Sequence, residues 1–260
     1  MCGPANILSS TKNKIFIIIP AYKADETLAE VFERIPNEFM EYVSKIIVVE
    51  DGSYSGETAT SAALAKLNDK IQIEVHSKNL GYGAAQKTGL KIAFNENADI
   101  AIILHADGQY PPELLSFLVE PIIKNSADVV MGSRMHSIKS AYQGGMPVYK
   151  IVANKILTYF ENFLFGMNIS EFHSGYMIYS KKALSSIPFF KLSNTFHFDG
   201  EMLILAHLYG LKICDLPIPT HYGNEVSHLK PVKYGLDVLR IAFKIKYFQL
   251  TNQIRNYSNN

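Results

Sequence analysis

Short, almost purely apolar runs that stop abruptly at Pro or Asp-Gly recur along the first half of this chain, and they restrict what it can fold into. "KIFIIIP" (14–20) and "SKIIVVEDGS" (44–53) are β-branched runs without polar alternation, which is how strands buried on both faces read. Between them "ADETLAEVFERI" has helical spacing and an acidic start, and "SGETATSAALAKLND" repeats the pattern behind a Ser cap. "IQIEVHS" (71–77), the helical "GAAQKTGLKIAFNE" (83–96) and "DIAIILHADG" (99–108) continue the alternation. This predicts an α/β fold, an open and mostly parallel sheet flanked by helices and joined by right-handed crossovers. Ligands of such sheets bind beyond the carboxyl ends of the strands.

The second half is less regular. "SADVVMGSR" (126–134) is another apolar run, followed by a Gly-Gly loop and a long aromatic-rich helix, "VYKIVANKILTYFENFLFG". "HSGYMIYSKKAL" reads as a strand entering a helix, "FDGEMLILAHLYG" as a helix, and "KICDLPIPTHYG" as an edge strand, because its prolines cannot serve a central ladder. The stretch "PVKYGLDVLRIAFKIKYFQL" (231–250) places Leu236, Leu239, Phe243 and Tyr247 on one side, with Lys233, Arg240, Lys244 and Lys246 interleaved. It reads as a helix packed on its own domain or as a helix lying on a membrane surface. The expected layout is an N-terminal tail over 1–13, one domain over 14–230, and a C-terminal amphipathic helix and tail over 231–260.

Composition narrows the partners. With 48% apolar and 19% charged residues the chain is globular, and a net charge of +1 leaves no electrostatic footprint for nucleic acid. Cys2 and Cys214 are too few for a disulfide framework, which points to a reducing compartment. No window approaches the roughly 18 to 20 apolar residues that span a bilayer. A cytoplasmic protein is expected, with any membrane contact peripheral and on the cytoplasmic face.

Five segments stand at the carboxyl ends of the expected strands: Pro20-Ala21-Tyr22, Glu50-Asp51-Gly52-Ser53, Asn79 to Gly83, His105 to Gln109, and Gly132-Ser133-Arg134. In a parallel sheet they converge on one crevice. Gly81 and Gly83 open a helix whose free N–H groups suit an anion, although such glycines also serve close packing alone. "GYGAAQ" lacks a third Gly and follows the third strand, which disfavours a Rossmann dehydrogenase, and no G-x-x-x-x-G-K-[ST] is present for a P-loop.

The order of motifs resembles the inverting family 2 glycosyltransferases of the GT-A fold, and among them the dolichol- or polyprenol-phosphate sugar transferases. The resemblance covers roughly 14–230 and rests on "IIIPAYKADETL", "IIVVEDGSYSGET", "NLGYGAAQKTGLKIA", "LHADGQYPPEL", "DVVMGSR", "HSGYMIYSKKAL" and "FHFDGEML". It implies an enzyme that moves a sugar from a nucleotide-sugar donor onto a polyprenol-phosphate or glycan acceptor, assisted by Mg²⁺ or Mn²⁺. Residue by residue it implies that Pro20, Ala21, Tyr22, Glu50, Asp51, Gly81, Gly83, His105, Ala106 and Asp107 enclose the donor nucleotide. Asp107 would be the metal ligand, with Gln109 in reach of the same ion. The acceptor would meet Arg134, Lys150, Ser174, His221 and Ser227, with His228 beside them, and Asp107, Glu201 and Arg134 would carry catalysis.

The chemistry is sound on its own terms, since a departing nucleoside diphosphate gains negative charge that a carboxylate-held divalent cation neutralises. This chain departs from the family in several places, among them Glu50, which stands where Asp is more usual, and Met177, which stands where the family would offer a cation. Lys23-Ala24 stands where Asn-Glu is usual, and His105 replaces the first Asp of the acidic motif. A neutral His ligates Mn²⁺ or accepts a hydrogen bond but serves Mg²⁺ poorly, and packing at a strand end is its plain alternative. A phosphate acceptor arrives ionised, whereas a sugar hydroxyl requires a carboxylate base. Asp199 and Glu201 are the candidates, Glu201 being the better match to the family. The aromatic helix over 149–165 is either ordinary core or the lining of a groove for an isoprenoid chain. Two alternatives stand beside the transferase: a degenerate nucleotide-binding module without turnover, and a sugar nucleotidyltransferase, whose basic Gly-rich loop "PAYKADE" lacks.

Overall fold

In the computed structural model, which describes residues 13–53, 62, 64–66, 68–220 and 231–259, the apolar runs form a seven-stranded sheet. The strands are β1 (Ile15–Ala21), β2 (Val43–Glu50), β3 (Ile71–Val75), β4 (Ile100–Ile103), β5 (Val129–Ser133), β6 (Met177–Ser180) and β7 (Ile213–Pro217). Their spatial order is β3-β2-β1-β4-β6-β5-β7, and every neighbouring pair is parallel except those of β6, which runs antiparallel to β4 and β5. The connecting helices are α1 (Asp25–Glu33), α2 (Asn37–Met40), α3 (Tyr82–Asn95), α4 (Leu115–Ile123), α5 (Ile138–Gln143), α6 (Val148–Phe165), α7 (Lys181–Ser186), α8 (Phe198–Leu208) and α9 (Pro231–Leu250).

Successive residues of a strand point to opposite faces, so unbroken apolar runs build two cores at once. Phe16 and Ile18 of β1 join the core under α3, α8 and α9, while Ile15, Ile17 and Ile19 join the one under α1 and α4. β7 pairs only with β5 and forms the expected edge. The helix expected over "SGETATSAALAKLND" falls largely outside the described residues, as do all but the last residue of the 1–13 tail.

The C-terminal helix packs on the domain, but by a different face from the one its sequence suggested. Val238, Ala242, Ile245 and Phe248 are buried, whereas Leu236, Phe243 and Tyr247 point outward. The helix is apolar on both sides, so periodicity alone could not choose between them.

Two features of the sheet position the site. Strand order reverses between β1 and β4, which opens a crevice at their carboxyl ends. Because β6 runs the other way, its amino end, led by Gly175 and Tyr176, reaches that same edge.

Candidate active site

A cleft of about 630 Å³ lies over the switch point. Pro20 and Tyr22 enter it from the end of β1, His105, Ala106, Asp107 and Gln109 from the turn after β4, Arg134 from the end of β5, and Lys150 from α6. These eight residues were all singled out by sequence. Lys23, at the position where the family has Asn, also lines the cleft.

Asp107 sits half-buried in a turn completed by Gly108 at φ 74°. Its Oδ1 accepts the N–H of Gln109 at 3.1 Å. Among the described residues no group of three His, Cys, Asp or Glu gathers to hold an ion. The donor set nonetheless fits a hard cation of the Mg²⁺ or Mn²⁺ type, which commonly takes one or two protein carboxylates and completes its shell with substrate phosphates and water.

Behind Asp107 runs a hydrogen-bonded chain that the sequence did not announce. His105 Nε2 lies 2.8 Å from the Tyr82 hydroxyl, which donates to Asp199 Oδ2 at 2.6 Å, and Gln86 Nε2 donates to Asp199 Oδ1 at 3.0 Å. His105 therefore has one ring nitrogen committed to Tyr82, and its ring edge meets Tyr110 with centroids 4.8 Å apart. Burial lowers the His105 pKa, so the ring favours its neutral form. Burial raises the Asp199 carboxyl to about 7, against the opposing hydrogen bonds from Tyr82 and Gln86. Gly175 makes room for this chain, because a Cβ there would stand 2.4 Å from both the His105 ring and the Tyr82 hydroxyl. Gly175→Ala should therefore lower catalytic activity at least about tenfold and cost ~1–3 kcal/mol of stability through overpacking. Initial rates and thermal unfolding of the variant check this, and wild-type values in both would refute it.

Arg134 is part of a buried pair. Its Nη2 lies 2.6 Å from Glu171 Oε1 and 2.8 Å from the His173 carbonyl, and its own N–H donates to Glu171 Oε2 at 2.9 Å. Asn154 adds a bond to Glu171 Oε1 at 2.9 Å. Burial alone would raise the Glu171 carboxyl, but Arg134 and these hydrogen bonds outweigh it and hold the group below the usual glutamate range. The guanidinium faces the cleft paired with Glu171, and Lys23 and Lys150 line the same cleft.

Other expected site residues do not line the cleft, and each has a physical reason. Asp51 is a tether: its Oδ1 takes the Leu80 N–H at 2.9 Å and His76 Nδ1 at 2.7 Å, and its Oδ2 takes the Gly81 N–H at 2.9 Å. Glu50 is buried and accepts the Ser53 hydroxyl, whose oxygen holds the Lys23 N–H. Ala21 is buried in the sheet. Gly81 takes φ 105° and Gly83 gives its N–H to the Asn194 carbonyl, so the start of α3 packs against protein rather than opening to an anion. Ser174 is buried and donates to the Gly132 carbonyl. Glu201 accepts the Ser193 N–H and the Tyr257 hydroxyl on the core side of α8, leaving Asp199 as the carboxylate of "FHFDGEM" that faces the cleft. His221, Ser227 and His228 lie outside the described residues.

Residues 16–187 match the family Glycosyl transferase family 2, about two thirds of the chain. The chain belongs to glycosyltransferase family 2. It is 32% identical over 245 residues to the UDP-N-acetylglucosamine–dolichyl-phosphate N-acetylglucosaminyltransferase of Methanococcus voltae, covering 90% of this chain and 93% of that one. It is 26% identical to the polyprenol monophosphomannose synthase of Mycolicibacterium smegmatis, over 89% of this chain and 85% of the relative. In fold it matches glucosyl-3-phosphoglycerate synthase from Mycobacterium tuberculosis, solved with Mn²⁺, UDP and phosphoglyceric acid. That match has a TM-score of 0.64 at 17% identity and covers 94% of this chain and 81% of the other. The fold is GT-A, and the chain is a glycosyltransferase of the dolichol-phosphate sugar transferase type. In this family 2 enzyme the motif order read from the sequence and the cleft at the switch point coincide.

Proposed function

We propose that this enzyme transfers a sugar from a nucleotide-sugar, with inversion, onto the phosphate of a polyprenyl-type lipid at a membrane surface. The observation that carries the reading is the cleft itself, lined by Asp107 at the switch point, by Arg134 behind β5 and by Lys150 on an aromatic-rich helix. The relatives named for dolichyl and polyprenol acceptors support it. A phosphate oxygen of the acceptor would attack the anomeric carbon from the face opposite the diphosphate. The bond from that carbon to the diphosphate would break, and its electron pair would leave with the nucleoside diphosphate. Asp107 would hold a divalent cation with help from Gln109, and that ion would supply neutralising charge to the leaving group. Lys150 and Arg134 would orient the acceptor phosphate, and Tyr22 and Pro20 would border the nucleotide. The test is purified protein with a panel of labelled nucleotide-sugars, polyprenyl phosphate and Mn²⁺ or Mg²⁺. A labelled lipid product of inverted anomeric configuration supports the reading, whereas no transfer from any donor counts against it.

A second reading, transfer to a glycan hydroxyl, is favoured by Asp199, a carboxylate raised to about 7 that faces the cleft. A base must be ionised, so a hydroxyl acceptor would give rates that climb about tenfold per unit as pH rises toward 7 and then level off. A phosphate acceptor is already a monoanion and takes its second negative charge near ~6 without help. Asp199→Asn therefore separates the two readings. Retention of most activity at pH 8 supports the phosphate acceptor, and a loss of about a hundredfold or more supports the hydroxyl.

A further inference from the structure

We propose that the Tyr234 hydroxyl, brought to the cleft by α9, binds the acceptor phosphate beside Arg134, and that His173 and Glu161 hold it in the orientation to do so, an inference that rests on the lipid-acceptor reading above. Among the described residues Tyr234 is the one through which α9 lines the cleft, and α9 lies beyond the segment 16–187 that matches the family. Its ring is held on two sides. It stacks on the His197 ring with centroids 4.7 Å apart at 15°, and it meets the His173 ring edge to face. One residue places both cleft groups, because His173 takes Arg134 Nη2 on its carbonyl at 2.8 Å and sets its Nδ1 3.0 Å from the Tyr234 hydroxyl.

Counting hydrogens gives that hydroxyl its direction. A phenol has one hydrogen to donate, so Tyr234 offers it to the cleft only when its oxygen accepts from the Nδ1–H of His173. On the far side of the same ring, Nε2 lies 3.2 Å from Glu161 Oε2, close enough for an ion pair although off the line of a hydrogen bond. Glu161 is buried on α6, and His173 is its one ion-pair partner among the described residues. With a hydrogen on each nitrogen the ring meets the carboxylate with one and Tyr234 with the other, which leaves the phenol hydrogen for the cleft. An imidazole that carries both is a cation, and out of water a cation needs the counter-charge that Glu161 provides. Burial, with Glu161, Asp199 and Glu171 nearby and Arg134 opposing them, raises the Tyr234 pKa, so the hydroxyl keeps its hydrogen to give. A neutral donor held next to a guanidinium is a setting for an oxyanion, whose several acceptor positions take both.

Calorimetry with geranyl phosphate, a short polyprenyl phosphate, and with geraniol, the same chain without the phosphate, tests this without turnover. Wild type should prefer the phosphate about a hundredfold or more. Tyr234→Phe, which keeps the ring on His197, should lose about tenfold of that preference with geraniol binding unchanged. In transfer assays it should raise the KM for the acceptor and leave the KM for the donor as it was. Glu161→Leu should lose the preference to the same degree. Glu161→Gln should keep it within about threefold, because an amide N–H serves a bare Nε2 and leaves the Nδ1 hydrogen in place. Thermal unfolding establishes that each variant is folded, and should Tyr234→Phe fail to fold, Glu161→Leu decides with Tyr234 still present. Wild-type protein that binds both compounds equally overturns the inference, as does a folded Tyr234→Phe with wild-type preference. A Glu161→Leu variant with wild-type preference overturns the orienting role of Glu161 and His173. Phosphate binding that depends on Tyr234 without any sugar transfer would sink the proposed reaction and leave this inference standing. Transfer to polyprenyl phosphate with an acceptor KM that Tyr234→Phe leaves unchanged would do the reverse.

Discussion

Asp107→Asn is expected to cut sugar transfer and metal-dependent donor hydrolysis about a thousandfold or more, because in the proposed reaction the leaving diphosphate would lose the carboxylate that holds its counter-charge. The substitution is mild for the fold. Asp107 is half-buried, and the contact its carboxylate makes to the Gln109 N–H is one that an amide oxygen accepts equally well. Thermal unfolding should therefore shift by no more than a degree or two, on the scale of an exposed substitution. Initial rates across a Mn²⁺ and Mg²⁺ series, beside calorimetric binding of the nucleoside diphosphate, separate the effects. Near wild-type rates in the variant would remove Asp107 from the centre of the mechanism. The same experiment addresses the rival view of the chain as a binding module without turnover, since that view requires wild type and variant to be equally inactive.

Glu171→Ala should be the most destabilising single change at the site. Removing the carboxylate leaves the Arg134 guanidinium buried without its counter-ion and takes partners from Asn154 and from the Arg134 N–H. Breaking one side of a buried ion pair costs about 3–5 kcal/mol, which in a chain of this length lowers Tm by roughly 10 °C. A companion variant with both Arg134 and Glu171 replaced by Met should be more stable than Glu171→Ala, because neither charge is then stranded. The sign with pH follows from the depressed carboxyl. In the wild type the pair contributes fully above the ordinary glutamate range, and its contribution disappears as pH falls through the lower folded-state value. A Glu171→Ala variant with wild-type unfolding would show that the pair carries no stability.

The strands were legible because each is a short, β-branched apolar run, two of them with turn-forming residues at their carboxyl ends. Pro20 stands next to the last residue of β1, and Asp51-Gly52 follows β2. The part of the site nearest the switch point was legible for the same reason, since the turn after a strand must sit where the strand ends. What stayed hidden depends on partners distant in sequence. Nothing around Asp51 says that its carboxylate will be used by the Leu80 and Gly81 N–H groups, or that Gly83 will lie against Asn194. Asp199 and Glu201 are two residues apart, about 200° around a helix, so one must face the cleft when the other faces the core. The motif could not give the helix its rotation. Tyr82 stood inside the Asn79 to Gly83 strand-end segment with no role of its own, and Glu171 carried no recognisable signal, although both organise the site. The packed face of α9 was not legible because either side of that helix offers enough apolar surface to bury.

The bond between Tyr257 and Glu201 has a bearing on how the molecule is made. Glu201 lies inside the core at the start of α8, burial raises its carboxyl, and a hydroxyl from beyond the end of α9 satisfies it. During synthesis that hydroxyl emerges 56 residues after the carboxylate it serves. The helix carrying Asp199 can therefore form early but reaches its final hydrogen bonding only when the segment carrying Tyr257 closes over it. Catalytic competence would then follow the docking of α9 and of the Tyr257 segment behind it against the domain.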